Sequence, residues 1–169
     1  MFYCICFTRC VLGIFGMWML LSSNSFAQQT DQPYGSYVYE DEKITLQLGA
    51  PNVYTLFKME QDRRTGAVTS RELSRGTFDL KNQTLLLQEY PTRKEMKLRI
   101  DAPLVLQVVD MKGIKASEQL YAWRVEDAEG QTRMEGSWKR GKKHGTWIYY
   151  DEEGNLSRSE EYRRGKLKN

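Results

Sequence analysis

A chain of 169 residues with 25 Lys/Arg against 22 Asp/Glu and one histidine carries a formal net charge of +3. So mild a balance predicts neither nucleic-acid binding nor strong attraction to a membrane surface. The length suffices for one core of ordinary size or two small ones.

The first segment reads as an export signal rather than as part of the fold. Arg9 is the only charge before Asp31, and the apolar run Val11 to Leu21 follows it. The run ends at Ser22-Ser23-Asn24, and Ser25-Phe26-Ala27 places small residues at the −3 and −1 positions of a cleavage site. Residues 1–27 are therefore expected to be a secretory signal peptide. Arg9 leaves the apolar stretch well short of the ~20 residues a spanning helix needs, so no transmembrane span is expected in the mature form. Removing 27 of 169 residues leaves 142, with 24 basic and 22 acidic side chains. Cys4, Cys6 and Cys10 all precede the cleavage point. The mature chain would then hold no disulfide, thiolate nucleophile or Cys-based zinc site. A cysteine-free exported protein suits a bacterial periplasm or secretion from the cell envelope.

Residues 28–110 read as an antiparallel β meander. Ile44-Thr45-Leu46-Gln47-Leu48 alternates apolar and polar residues and stops at Gly49-Ala50-Pro51-Asn52. Val53 to Met59 makes the next strand, and Glu60 to Gly66 a polar loop. Thr77 to Leu80 and Thr84 to Gln88 flank a turn at Lys81-Asn82-Gln83. Met96, Leu98 and Ile100 alternate with charged residues, and Leu104 to Val109 follows Asp101-Ala102-Pro103. Successive side chains of a strand point to opposite faces, which gives half-buried strands this period of two. About eight short strands joined by tight turns fit a small barrel or a sandwich. On Gly35-Ser36-Tyr37, Arg75-Gly76-Thr77-Phe78 with Leu85-Leu86-Leu87, and Leu104 to Val109 with Asp110-Met111-Lys112-Gly113, the stretch resembles the lipocalin-like barrels of envelope proteins, the NlpE-like type among them. That likeness implies a fold only, because the Cys-x-x-Cys of NlpE-like domains is missing here. If the barrel were a carrier of a small apolar ligand, a cavity lined by Leu46, Phe57 and Leu87 would be expected.

Asp110 to Gln119 is the expected joint to a second part, residues 120–169, in which the sequence repeats itself. A shift of 24 residues aligns Trp123 with Trp147, Asp127 with Asp151, and Glu129-Gly130 with Glu153-Gly154. It also aligns Trp138 with Tyr162, Lys139 with Arg163, and Arg140-Gly141-Lys142 with Arg164-Gly165-Lys166. Each unit reads as a hairpin, with an acidic turn ending in Gly at one end and a basic-Gly-Lys turn at the other, the glycines serving positions that need φ > 0. A single hairpin cannot bury its aromatic face, so neighbours must stack on it. The segment from Gly136-Ser137-Trp138 through Arg140-Gly141-Lys142 and Gly145-Thr146-Trp147 to Tyr150-Asp151-Glu152-Glu153-Gly154 resembles the MORN-variant repeat of YwqK-like proteins. That pattern runs G-x-W-x-x-G-K-x-x-G-x-W-x-x-Y-D-x-x-G, and every fixed position is present. The resemblance implies stacked MORN-like β-hairpins. The family's frequent antitoxin label fits poorly with an export signal, since an antitoxin ordinarily meets its toxin in the cytosol.

The residues offer little to catalysis. His144 stands among lysines and turn-formers, without the partners general-base work needs. Glu152-Glu153 and Glu160-Glu161 are adjacent pairs, which on a strand face opposite ways rather than each other. No catalytic residue, metal ligand or cofactor is expected, and the chain is not read as an enzyme. The aromatics Trp123, Trp138, Trp147, Tyr149, Tyr150 and Tyr162 are read as the repeat's own core. Of these, Tyr149 and Tyr150 should face opposite ways and leave one exposed. Candidate binding residues are Arg140, Lys142, Tyr149 and Tyr150. The expected function is non-catalytic binding or scaffolding in the cell envelope, with a protein or other envelope partner and no nucleic acid.

Overall fold

The computed structural model of the protein describes residues 33–39 and 43–168; the proposed signal peptide and its three cysteines lie outside them. Among the described residues there is no helix, and hence none long and apolar enough to cross a membrane. The chain is all-β. Among the described residues, twelve antiparallel strands follow one another in a single sheet in the order of the sequence. They are β1 (Gly35–Tyr39), β2 (Ile44–Gly49), β3 (Val53–Gln61), β4 (Val68–Lys81), β5 (Thr84–Glu89), β6 (Glu95–Ala102), β7 (Val105–Asp110), β8 (Gln119–Glu126), β9 (Thr132–Lys139), β10 (Lys142–Tyr150), β11 (Leu156–Arg163) and β12 (Lys166–Leu167).

One long-range pairing closes the meander. β1 pairs with β8 from Gly35↔Val125 to Val38↔Tyr121, so the first eight strands form a barrel rather than a sandwich. Closure removes the open edges that a flat sheet would present. Alternate residues of every stave point inward: Tyr37, Leu46 and Leu48, Tyr54 and Leu56, Phe78, Leu85 and Leu87, Met96 and Leu98, Leu106 and Val108, Leu120 and Ala122 are all buried. Barrels of eight strands are just wide enough for side chains to fill. Each leucine so buried contributes about 1.5–3 kcal/mol. The buried Tyr54 hydroxyl is bonded to Ser74 Oγ at 2.9 Å, which satisfies a polar group that the alternation carries inside.

Two details differ from the expectation. Phe57 does not line the interior with Leu46 and Leu87. It pairs with Thr45 on the outward phase of β3, one residue out of step with buried Leu56, and is only half-buried. β4 is also far longer than Thr77 to Leu80. Its first half, Val68 to Glu72, pairs with the far end of β3 as an exposed ribbon, and salt bridge Arg71–Glu60 spans the two strands at 3.4 Å. With neither face buried, that ribbon shows no apolar alternation.

β8 is where the barrel passes into the repeat. β1 occupies one edge of this strand. The other edge is divided: Gln119–Tyr121 pair with β7, and Arg124–Glu126 pair with β9. The division lets the sheet leave the barrel wall and continue as β9 to β12. The stretch between β7 and β8, where the sequence suggested a joint, is thus a connection within one continuous sheet.

Candidate functional site: the end of the hairpin extension

Strand bounds in the extension recur at the interval of the sequence repeat. β9 and β11 begin at residues 132 and 156 and end at 139 and 163, while β10 and β12 begin at 142 and 166. The acidic turns have the same wiring. Asp127 N–H donates to the Gln131 carbonyl, and Asp151 N–H to the Asn155 carbonyl, each at 3.0 Å. The aspartate Oδ1 then accepts the Gln131 N–H at 2.8 Å or the Asn155 N–H at 2.7 Å. Arg133 ties the two copies together, pairing with the Asp127 carboxylate at 2.5 Å and donating to the Asp151 carbonyl.

The basic turns repeat as well. Lys139 pairs with Lys142 across Arg140 (φ 53°) and Gly141 (φ 67°), and Arg163 pairs with Lys166 across Arg164 (φ 53°) and Gly165 (φ 81°). Two central residues at positive φ define the type I′ turn, whose twist suits a two-residue hairpin. Its first position favours Asn, Asp or Gly. An arginine there costs roughly 1–2 kcal/mol of left-handed strain, and this chain places one at that position twice.

Between the turns the extension builds its core from rings. Tyr121 of β8, Trp138 of β9, Trp147 of β10 and Tyr162 of β11 form a ladder with centroid separations of 5.0, 5.4 and 6.4 Å. Trp147 is fully buried. It lies flat on Gly136, where a Cβ would sit 2.3 Å from the indole, so no other residue fits beneath it. Trp138 Nε1 donates to the Ala122 carbonyl at 2.7 Å, and Trp147 Nε1 to that of Ser137 at 3.2 Å. Lys143 covers the ladder, its ammonium 4.1 Å from the Trp147 centroid and 5.0 Å from that of Tyr162. Burial pulls the Lys143 pKa below the ordinary lysine value, against the opposing charge of Glu160. Burial pushes Glu160 up, yet hydrogen bonds from Tyr149 at 2.7 Å and Tyr162 at 2.9 Å hold it, on balance, below the usual glutamate range. Trp123 is outside this ladder. It is the extra residue of a bulge, lying between Ala122, opposite Tyr37, and Arg124, opposite Ser36. The Arg124 guanidinium stacks over it at 4.8 Å.

The four candidate binding residues do not come together. Tyr149 belongs with the ladder: its hydroxyl bonds to Glu160 and its ring lies under Arg158 at 4.0 Å. Tyr150 faces the other way and donates to Glu135 at 2.7 Å, beside the pair Arg124–Glu135 at 3.4 Å. Both rings are half-buried, so neither is the exposed member expected of the pair. Hydrogen bonds to a glutamate on each face hold them down. Arg140 and Lys142 do meet, in a groove of about 740 Å³ lined also by Lys139, His144, Arg163 and Arg164. The repeat alignment had already matched Arg163 and Arg164 to Lys139 and Arg140; their adjacency in space is what the sequence left out. A second concavity, around Tyr150, Arg124 and Glu135, also lies outside the barrel. Among the described residues no group of three His, Cys, Asp or Glu side chains is placed to hold a metal ion.

Comparison with known protein families, with curated proteins and with solved structures finds no match for this chain.

Proposed function

We propose that this chain is a non-catalytic binding protein of the cell envelope, exported by its N-terminal segment, whose barrel carries the hairpin extension as a contact surface. The observation that carries this reading is the groove at the extension's end. Among the described residues, those that line it are Lys139, Arg140, Lys142, His144, Arg163 and Arg164. The extension's rings and its buried lysine are engaged with one another, and the groove gathers its basic turns at one end. The likeness of Gly136 to Gly154 to a MORN-variant repeat supports the same reading, since stacked hairpins of that kind present a continuous surface. The interior of the barrel, with inward side chains from every stave, lends less to the alternative of a lipocalin-like carrier.

Affinity capture from envelope extract tests the proposal. Partners retained by the native chain should be lost with Arg140→Gln/Lys142→Gln, while the melting temperature holds. An unchanged set of partners would remove the groove from the function. Mass spectrometry of the native protein tests export: the N-terminus should be Gln28, and retention of Met1 would refute cleavage.

A further inference from the structure

We propose that the overhanging ribbon of β3 and β4 is an interaction arm that pairs, edge to edge, with the same ribbon of a second copy of this chain. β5 covers β4 from Lys81 back to Gly76, and Tyr90 N–H still reaches the Arg75 carbonyl at 2.9 Å. The chain then turns away into β6, whereas β4 itself begins at Val68. The outer edge from Val68 to Glu72 thus lies beyond β5, and among the described residues no strand pairs with it. The hairpin tip fixes which groups that edge presents. Asp62 N–H donates to the Ala67 carbonyl at 2.9 Å. Bonded and non-bonded pairs alternate along an antiparallel ladder, so Glu60↔Thr69 and Lys58↔Arg71 are the next bonded pairs. Val68, Ser70 and Glu72 therefore turn their N–H and C=O groups outward.

Three features point to a second copy as the occupant. The first is register. A two-fold axis through Ser70 sets Val68 opposite Glu72 of the second copy and Ser70 opposite its counterpart, so outward groups meet outward groups in about six backbone hydrogen bonds. The second is charge. Arg71 is paired with Glu60 at 3.4 Å and Glu72 with Arg75 at 3.6 Å, so both charges of the segment enter the contact already balanced. In this register Arg71 opposes Thr69, not another arginine. The third is the apolar face. Phe57, Met59 and Val68 share one face of the ribbon, with Met59 37% and Val68 59% exposed. A lone two-stranded ribbon is marginal in water, whereas several strands with one apolar face support each other. Pairing carries that face across four strands. The edge at the other end of the sheet is built differently. β12 is two residues long, bears Lys166 and is followed by Lys168, and short edge strands with lysines resist pairing. Val68 to Glu72 contains neither lysine nor proline.

Sedimentation equilibrium of the intact purified protein tests the proposal. It should show a monomer and a species of twice its mass, in proportions that shift with concentration. Ser70→Pro removes the N–H on the axis and none of the ribbon's own hydrogen bonds, and proline is tolerated on an edge strand where that N–H faces outward. The variant should stay monomeric at every concentration with the native melting temperature, and Ser70→Thr should keep the dimer. Amide hydrogen exchange of the native protein gives a second reading. The Val68, Ser70 and Glu72 amides should exchange about tenfold faster, or more, once the dimer is diluted apart, while those of Thr69 and Arg71 change less. A monomer throughout overturns the proposal. So does protection of the three outward amides that dilution leaves unchanged, because the chain would then cover its own edge. A dimer that persists in a folded Ser70→Pro variant overturns it too, by placing the contact elsewhere. If that variant loses its fold, the exchange comparison decides.

Discussion

The barrel and the hairpin extension belong to one sheet, yet they solve the burial problem in opposite ways. The barrel closes on itself, so every stave hides alternate side chains in a shared interior, and aliphatic residues suffice. The extension has nothing to close against. Among the described residues, Trp147 is the only buried apolar side chain beyond β8, and its cover comes from neighbouring rings and from the stem and ammonium of Lys143. Closure makes many moderate contributions interchangeable. An open stack instead makes a few large side chains indispensable, and it leaves ends on which charge can be gathered.

The sharpest way to break this comparison is Trp147→Ala. Truncating a buried tryptophan costs about 3–5 kcal/mol, more than a four-strand extension with so little other core can absorb. Hydrogen exchange should show β9 to β11 losing protection while β2 to β7 keep theirs. Uniform loss across the chain would mean that extension and barrel unfold as one unit. The reciprocal change, Leu98→Ala, should cost about 2–5 kcal/mol and lower the protection of the whole molecule, since β8 is shared by both parts.

A smaller effect probes the turns. Gly154 and Gly165 sit at φ 82° and 81°, and Gly154→Val or Gly165→Val should cost about 1–2 kcal/mol. Equal melting temperatures for native protein and both variants would show that the turns relax without strain.

The smallest effect sharpens the electrostatics of the ladder. Glu160 has its pKa held below the ordinary glutamate value by its tyrosine and cation neighbours. Its contribution to stability is complete above the unfolded-state pKa and is lost as pH falls through the folded one. Glu160→Gln should therefore flatten the acid limb of the stability curve in the extension. An acid limb identical to the native one would place the sensitivity elsewhere.

Much of this architecture was legible locally. Alternation located Ile44 to Leu48 and Met96 to Ile100, because a strand's period of two is written in its own residues, and the turn at Lys81-Asn82-Gln83 located Thr84 to Gln88. The 24-residue shift matched the turns at Arg140-Gly141 and Arg164-Gly165 before any backbone angle was known, because positive φ leaves a glycine signature. Where both faces of a strand meet water, as in the first half of β4, no pattern was written and the strand went unread. Phe57 went the other way, an apolar residue set outward by the phase of its strand.

By itself, then, the sequence determined the all-β class, the interval of the repeat and the chemistry of each turn, since propensity, alternation and glycine placement act over a few residues. Tertiary structure alone decided that the meander closes through β1 and β8, and that β8 divides one edge between β7 and β9. It also decided that two basic turns 24 residues apart share one groove while Tyr149 and Tyr150 leave it. Those outcomes depend on pairings between distant segments. Backbone hydrogen bonding is the same for every residue type, so no local pattern names the partner strand.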